Sequence, residues 1–289
     1  MDVLRAKTAG FCMGVSLALQ KLEDALLRER GAAPPGPGAG RICTLGPIIH
    51  NPQVLEHYAG RGVACVSGAE ELAPGDHVLI RAHGLPREEE ARVRASGATV
   101  EDATCPRVKG AQLAIARATR DGASLLLFGE ADHPEVRGLL SYAAGDARVF
   151  GSLEELMELP LEPGVPHVLA SQTTQDRDAF AAIEAWLGER LGGLTVLNTI
   201  CGATRERQEE ARLIAGMVDV MVVVGGRESG NTRRLAALAA QAGVETFHVE
   251  RPGELDAKRF ATKSRAGLTA GASTPKSLID AAEEWLASL

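Results

Sequence analysis

Apolar residues return along this chain with recognisable periods. After Cys12, residues Val15, Leu19, Leu22 and Leu26 recur at the three- and four-residue steps that turn one side of a helix inward. VKGAQLAIARAT after Cys105 and ATRERQEEARLIAGM after Cys201 repeat that one-sided pattern. Each helical stretch leads into a short apolar run closed by glycine, RICTLG, SLLLFG and VMVVVG, which predicts a buried strand. A third kind of segment, HVLIRAH, HVLASQT and GLTAGAS, reads as a further strand whose seventh residue is His83, Thr173 or Ser273. Polar or turn residues and another helical segment follow each.

The spacing makes these segments a repeat. Cys105 lies 93 residues after Cys12, and Cys201 lies 96 residues after Cys105. Four residues past each closing glycine stand His50, His133 and Ser229. From the preceding cysteine the interval is 28 residues in the second and third repeats and 38 in the first, and the excess matches GAAPPGPGAG at 31–40, a turn-rich insertion read as a loop. The expectation is an α/β protein of three units of roughly 95 residues, at 1–103, 104–199 and 200–289. In open α/β sheets ligands bind in crevices at the carboxyl ends of strands. The simplest arrangement that uses all three units equally is a trefoil of three pseudo-threefold-related α/β domains around one shared central site.

Composition narrows the class. With 289 residues, 45% apolar and 24% charged, the chain has material for two or three packed domains and is not disordered. The net charge of −7 comes without any basic stripe, and aromatic residues make up only 3%, so nucleic acid is not an expected partner. No apolar run approaches the roughly 18 residues of a membrane helix, and MDVLRAKTAG lacks the apolar region of a signal peptide, which predicts a soluble cytoplasmic protein. Three packed domains can satisfy a core without a partner, so a monomer is expected.

Five cysteines without a CxxC pair make neither a disulfide framework nor a zinc ribbon. Three equivalently placed thiols, each ahead of a helix whose N-terminus favours the thiolate, suit iron–sulfur, zinc or copper(I). Cys43 and Cys65 lie inside strand-like RICTLG and VACVSG and read as small buried hydrophobes. His50-Asn51, His83-Gly84, His133, Ser229-Gly230-Asn231 and Ser273 all fall at strand-to-helix turns, where backbone N–H groups and the helix dipole attract anions, and a phosphate or diphosphate fits such a ring. Taken singly, Ser273 before Thr274-Pro275 and Thr173-Thr174 before QDRDAF read as ordinary helix caps. In Asp132-His133-Pro134-Glu135, Pro134 can open a helix and place Glu135 in its first turn; acid–base work there needs reach and a raised pKa. His57, His77, His167 and His248 occupy ordinary helix or strand positions and are assigned no chemistry.

These residues, taken together, resemble the IspH/LytB reductases, which convert hydroxymethylbutenyl diphosphate into isopentenyl and dimethylallyl diphosphates. The resemblance covers the whole chain and rests on nine boxes in order: GFCMGV around Cys12, HN at His50, AHG at His83, DATCP ending at Pro106, HPEV from His133, SQTT ending at Thr174, the CxAT box at Cys201, SGN at Ser229, and TAGAS ending at Ser273. It implies a 4Fe-4S cluster held by Cys12, Cys105 and Cys201, with one open iron that takes the substrate hydroxyl. It further implies a diphosphate pocket of His50, His83, His133, Ser229, Asn231 and Ser273, Glu135 as proton donor with Thr173 beside the substrate oxygen, and single electrons from ferredoxin or flavodoxin. Where many members carry a second serine after the residue matching Ser229, this chain has Gly230, which removes one hydroxyl and implies weaker diphosphate affinity. Family members fused to an RNA-binding domain extend beyond the equivalent of Leu289, and no such domain is expected here.

Three other readings fit parts of the pattern. Quinolinate synthase is also a trefoil with a three-cysteine cluster, but its substrates are carboxylates, and the HPE and TAGAS boxes favour the reductase. A non-catalytic iron–sulfur carrier needs neither an acid nor an anion pocket. A three-thiolate zinc hydrolase differs in its metal.

Overall fold

The computed structural model describes residues 1–31, 40–161 and 164–289, so the insertion expected at 31–40 lies, but for its end residues, outside the described residues. Twelve strands among the described residues form three four-stranded sheets, and every pairing is parallel. By contacts the chain divides into two compact units: Met1–Val15, His50–Glu56 and Cys201–Leu289 make the first, and Ser16–Ile49 with His57–Ile200 the second.

The second unit holds two sheets. One has the order β3 (Ala64–Val66), β2 (Ile42–Leu45), β4 (His77–Ile80), β5 (Thr99–Asp102). The other repeats that order with β7 (Ala147–Phe150), β6 (Ser124–Phe128), β8 (His167–Ser171) and β9 (Leu194–Val196). Parallel strands buried on both faces need helices on both sides. In the β6–β8 sheet, Leu125, Leu127, Val168 and Ala170 face α4 (Pro106–Ala118) and α5 (Pro134–Leu140) through Ile115, Val136 and Leu139. The alternate residues Leu126, Phe128 and Leu169 face α6 (Leu153–Glu158) and α7 (Arg177–Gly188) through Leu156, Phe180, Ile183 and Leu187. Cys43 is fully buried among Leu45, Val78, Ile80 and Val93 of the β2–β4 sheet, as a small hydrophobe would be. Cys65 is exposed, which departs from the reading as a buried residue, because the short strand β3 is an edge. Helix α1 (Met13–Gly31) turns Leu19, Leu22 and Leu26 inward as its periodicity predicts.

The first unit holds the third sheet, in the order β11 (Glu245–Val249), β10 (Val220–Val224), β12 (Arg265–Ala270), β1 (Asp2–Arg5). Val220, Val222, Val224, Ala266, Leu268 and Ala270 pack on Ile279, Ala282 and Leu286 of α10 (Lys276–Ala287). Met221 and Val223, on the opposite face, meet Ala211 and Ile214 of α8 (Gly202–Ala215) and Leu235 and Ala239 of α9 (Gly230–Gln241). The sheet order matches the other two, with one exchange: the fourth place is taken by β1, from the other end of the chain. In all three sheets this fourth strand runs into a cysteine, β5 into Cys105, β9 into Cys201 and β1 into Cys12. Cys12 is therefore carried by the unit that contains Cys201, and not with the strands at 42–102 that follow it in sequence. No helix among the described residues is long and apolar enough to cross a membrane.

Candidate functional site

Cysteine placement follows directly from the edge strands. Cys105 and Cys201 are the N-cap residues of α4 and α8, and neither side chain is spent on a cap hydrogen bond. Cys12 directly precedes α1. All three thiols are partly exposed, and the described cysteines form no disulfide. Their backbones are pinned alike: Cys105 N donates to Ala82 O at 2.9 Å, and Cys12 N donates to Ala272 O at 3.1 Å. Each acceptor is the residue before a predicted anion ligand, His83 and Ser273 respectively.

In the second unit, β4 delivers His83, α5 delivers His133 and Glu135, and β8 delivers Thr173. Gly84, at φ +73°, makes the turn after His83; a Cβ there would fall 2.9 Å from Gln112 Nε2, so glycine is needed for both the dihedral and the space. The rings of His83 and His133 meet edge to face with centroids 5.4 Å apart. His133 is the N-cap of α5, and its Nδ1 accepts from Glu135 N at 3.1 Å. A neutral imidazole that accepts at Nδ1 carries its proton on Nε2, so the other edge of the ring is a donor.

Pro134 opens α5 as expected, and Glu135 is swept inward with only 2% of its surface exposed. Thr173 N donates to Glu135 Oε1 at 2.6 Å and Thr173 Oγ1 donates to Oε2 at 2.9 Å. Burial pushes the Glu135 pKa up to about 7, against the two Thr173 hydrogen bonds, which favour the anion. Thr173 is thus not the cap of α7; that role belongs to Asp176, which accepts from Ala179 N at 2.8 Å. Gln172, fully buried, accepts from Glu130 N at 3.1 Å and stiffens the same turn.

In the first unit, Ser229 caps α9, accepting from Thr232 N at 3.4 Å, and Asn231 lies in that helix's first turn. Asn231 is 5% exposed, and its Nδ2 has no acceptor among the described residues. An amide donor buried without a partner is a standing cost of about 1–3 kcal/mol unless something else accepts from it. Ser273 is not a helix cap either: Pro275 holds that position for α10, and Ser273 Oγ donates to His50 O at 3.0 Å. Gly226 approaches the same carbonyl so closely that a Cβ would stand 2.6 Å from His50 O. His50, Ser229 and Ser273 are thereby drawn to one end of the β10–β12 sheet, and Asn51 Oδ1 accepts from Val54 N at 3.0 Å to start α2 (Pro52–Ala59). Gly230 is the buried first residue of α9. His77 and His167, assigned no chemistry, begin β4 and β8 and so lie at the opposite strand ends from His83 and Thr173.

A buried arginine was not foreseen. Arg207 of α8 is 6% exposed and its Nη2 donates to Gly10 O at 2.8 Å.

A family model described as LytB protein matches residues 3–287. A 4-hydroxy-3-methylbut-2-enyl diphosphate reductase of Desulfovibrio desulfuricans is 68% identical over 289 residues, the full length of both chains. One from Geobacter sulfurreducens is 43% identical over 280 residues, covering 97% of this chain and 95% of its own. Among solved structures, a (E)-4-hydroxy-3-methyl-but-2-enyl diphosphate reductase described as the terminal enzyme of the non-mevalonate pathway is 38% identical over the whole of both chains, with a TM-score of 0.69. The Plasmodium falciparum reductase, at 23% identity and a TM-score of 0.89 over 96% of this chain and 86% of its own, shows the shared fold. These full-length matches make the chain a member of the LytB family, the reductases of 4-hydroxy-3-methylbut-2-enyl diphosphate that act at the end of the non-mevalonate pathway.

Proposed function

We propose that Cys12, Cys105 and Cys201 hold a 4Fe-4S cluster with one open iron, which takes the hydroxyl of the substrate. The donor set fits: three partly exposed thiols, each at a helix start and those of Cys105 and Cys201 not used for capping, are soft ligands. When bound, the cluster supplies electrons one at a time and a Lewis-acidic iron for the substrate hydroxyl. The overall change takes up two electrons and two protons and releases that hydroxyl as water.

The protein side of the reaction is binding and proton delivery. His50, His83, His133, Ser229, Asn231 and Ser273 hold the diphosphate, with the His133 Nε2–H as one donor and the Asn231 Nδ2 amide, which has no acceptor among the described residues, as another. Anchoring the charged end fixes the reacting carbon and oxygen. Glu135, with a pKa near the working pH, gives the proton that leaves with the hydroxyl. Thr173 Oγ1 touches that carboxyl and, by turning its hydroxyl, accepts from protonated Glu135 and donates onward, so the pair forms a two-residue relay.

The observation that carries this reading is the buried Glu135 carboxyl gripped twice by Thr173. Glu135→Gln, purified without oxygen, keeps iron and sulfide and loses most turnover with substrate and a one-electron reductant; a fully active variant removes Glu135 from the mechanism. Ferredoxin or flavodoxin is the proposed donor, since each delivers single electrons. A cytoplasmic monomer completes the proposal.

A further inference from the structure

Helix α8 is strongly charged by sequence, as a solvated helix would be, yet two of its charged residues are spent on the segment that leads to Cys12. Arg207 Nη2 donates to Gly10 O at 2.8 Å, while its Nη1 donates back to Ala203 O at 3.1 Å. Glu210, three residues on, accepts from Lys7 N and Thr8 N at 2.8 Å each and from the Thr8 hydroxyl. The stretch that presents Cys12 is thus strapped, by one cation and one anion, to the helix whose first residue follows Cys201.

The cation is poorly compensated where it sits. At 6% exposure the Arg207 guanidinium has lost most of its hydration, and its Nε–H has no acceptor among the described residues. Burial lowers its pKa, and the groups that pull it back are, in order, Cys12, Cys201, Glu206 and Glu210. A buried arginine that grips the carbonyl two residues before Cys12, from the helix capped by Cys201, is arranged for a site that is more negative when filled.

We infer that Arg207 is a positioning residue that fixes Cys12 relative to Cys201 and, by placing a permanent positive charge beside the sulfur ligands, holds up the reduction potential of the centre they bind. The inference rests on the iron–sulfur reading above. Each electron that enters such a centre adds negative charge, so a nearby fixed cation stabilises the reduced form. Lysine at this position keeps the charge but loses the fork that serves two carbonyls.

The test is a redox titration of anaerobically purified holoprotein followed by electron paramagnetic resonance, with iron and sulfide content as the measure of integrity. Arg207→Gln is expected to lower the midpoint by at least a tenfold change in the reduction equilibrium, about 59 mV for one electron. Glu210→Gln, which removes the opposing charge, is expected to raise it, and Arg207→Lys to stay close to the unaltered protein while losing iron faster. A merely structural strap moves both neutral variants in the same direction or not at all. Full iron content with an unmoved midpoint in Arg207→Gln overturns the inference; if that variant does not keep the centre, a midpoint in Glu210→Gln at or below that of the unaltered protein overturns it instead. An unaltered protein purified without oxygen that carries no iron and sulfide defeats the cofactor reading itself.

Discussion

Thr173 holds both oxygens of the Glu135 carboxyl, through its backbone N–H at 2.6 Å and its hydroxyl at 2.9 Å. Two neutral donors do not outweigh complete burial, and the acid remains half protonated near pH 7. Because the protonated form gives the proton, turnover is expected to fall as pH rises through about 7. Thr173→Val removes one donor that favours the anion, so the falling limb moves to higher pH while the rate drops by about 10²- to 10⁴-fold with the relay broken. Steady-state rates under anaerobic conditions from about pH 5.5 to about pH 8.5, the span around neutrality in which such a group titrates, check both; a flat profile contradicts the assignment.

The same carboxyl ties folding to pH. Its pKa rises from 4.5 to about 7 on folding, so the folded state binds the proton more tightly. The stabilisation is complete below 4.5 and is lost as pH rises through 7, amounting to about 3 kcal/mol in all. Denaturation of the apo-protein on either side of this window is expected to show the stability of the unaltered chain falling relative to Glu135→Gln as pH rises. An equal difference at both ends refutes the linkage.

Asn231 separates binding from architecture. Its Nδ2 satisfies nothing among the described residues, so Asn231→Ala removes a buried unpartnered donor and is expected to keep or raise the melting temperature of the apo-protein. Loss of one donor to a diphosphate costs about 1.4 kcal/mol, or tenfold in affinity. A raised KM with little change in kcat is the expected result, read from steady-state kinetics.

Metal content sorts the cysteines. Alanine at Cys12, Cys105 or Cys201 is expected to abolish stoichiometric iron and sulfide. Cys65→Ala, at an exposed edge, keeps both, and Cys43→Ala keeps both at the cost of a small cavity in the β2–β4 core. Elemental analysis of anaerobic preparations decides, and zinc in place of iron defeats the reductase chemistry proposed here.

The repeat was readable because parallel sheets demand the same local pieces in the same order: a helix, an apolar run, a glycine, a polar residue at the strand end. Cys12, Cys105 and Cys201, and His50, His133 and Ser229, stand out for that reason alone. The place of β1 was not readable, since a parallel edge pairing between Asp2 and Arg265 leaves no mark on either segment. Ser273 and Thr173 have the composition of caps but spend their hydroxyls on His50 O and Glu135. Which acceptor a hydroxyl finds depends on contacts hundreds or tens of residues away. Arg207 was hidden among the charges of RERQEEAR, because periodicity distinguishes apolar from polar faces and says nothing about a charge that is buried to grip a carbonyl.

The exchange of β1 into the last sheet has a consequence for biosynthesis. Its neighbour β12 ends at Ala270, so the first strand to be made waits for almost the last. At ribosomal speeds of about 5–20 residues per second that delay is on the order of 10 to 50 seconds. During it the strand is an unpaired edge and the thiol of Cys12 is unprotected. Because β1, the strand that leads to Cys12, has no partner until β12 exists, a centre of the kind proposed above would be completed only after residues 265–270 have been made.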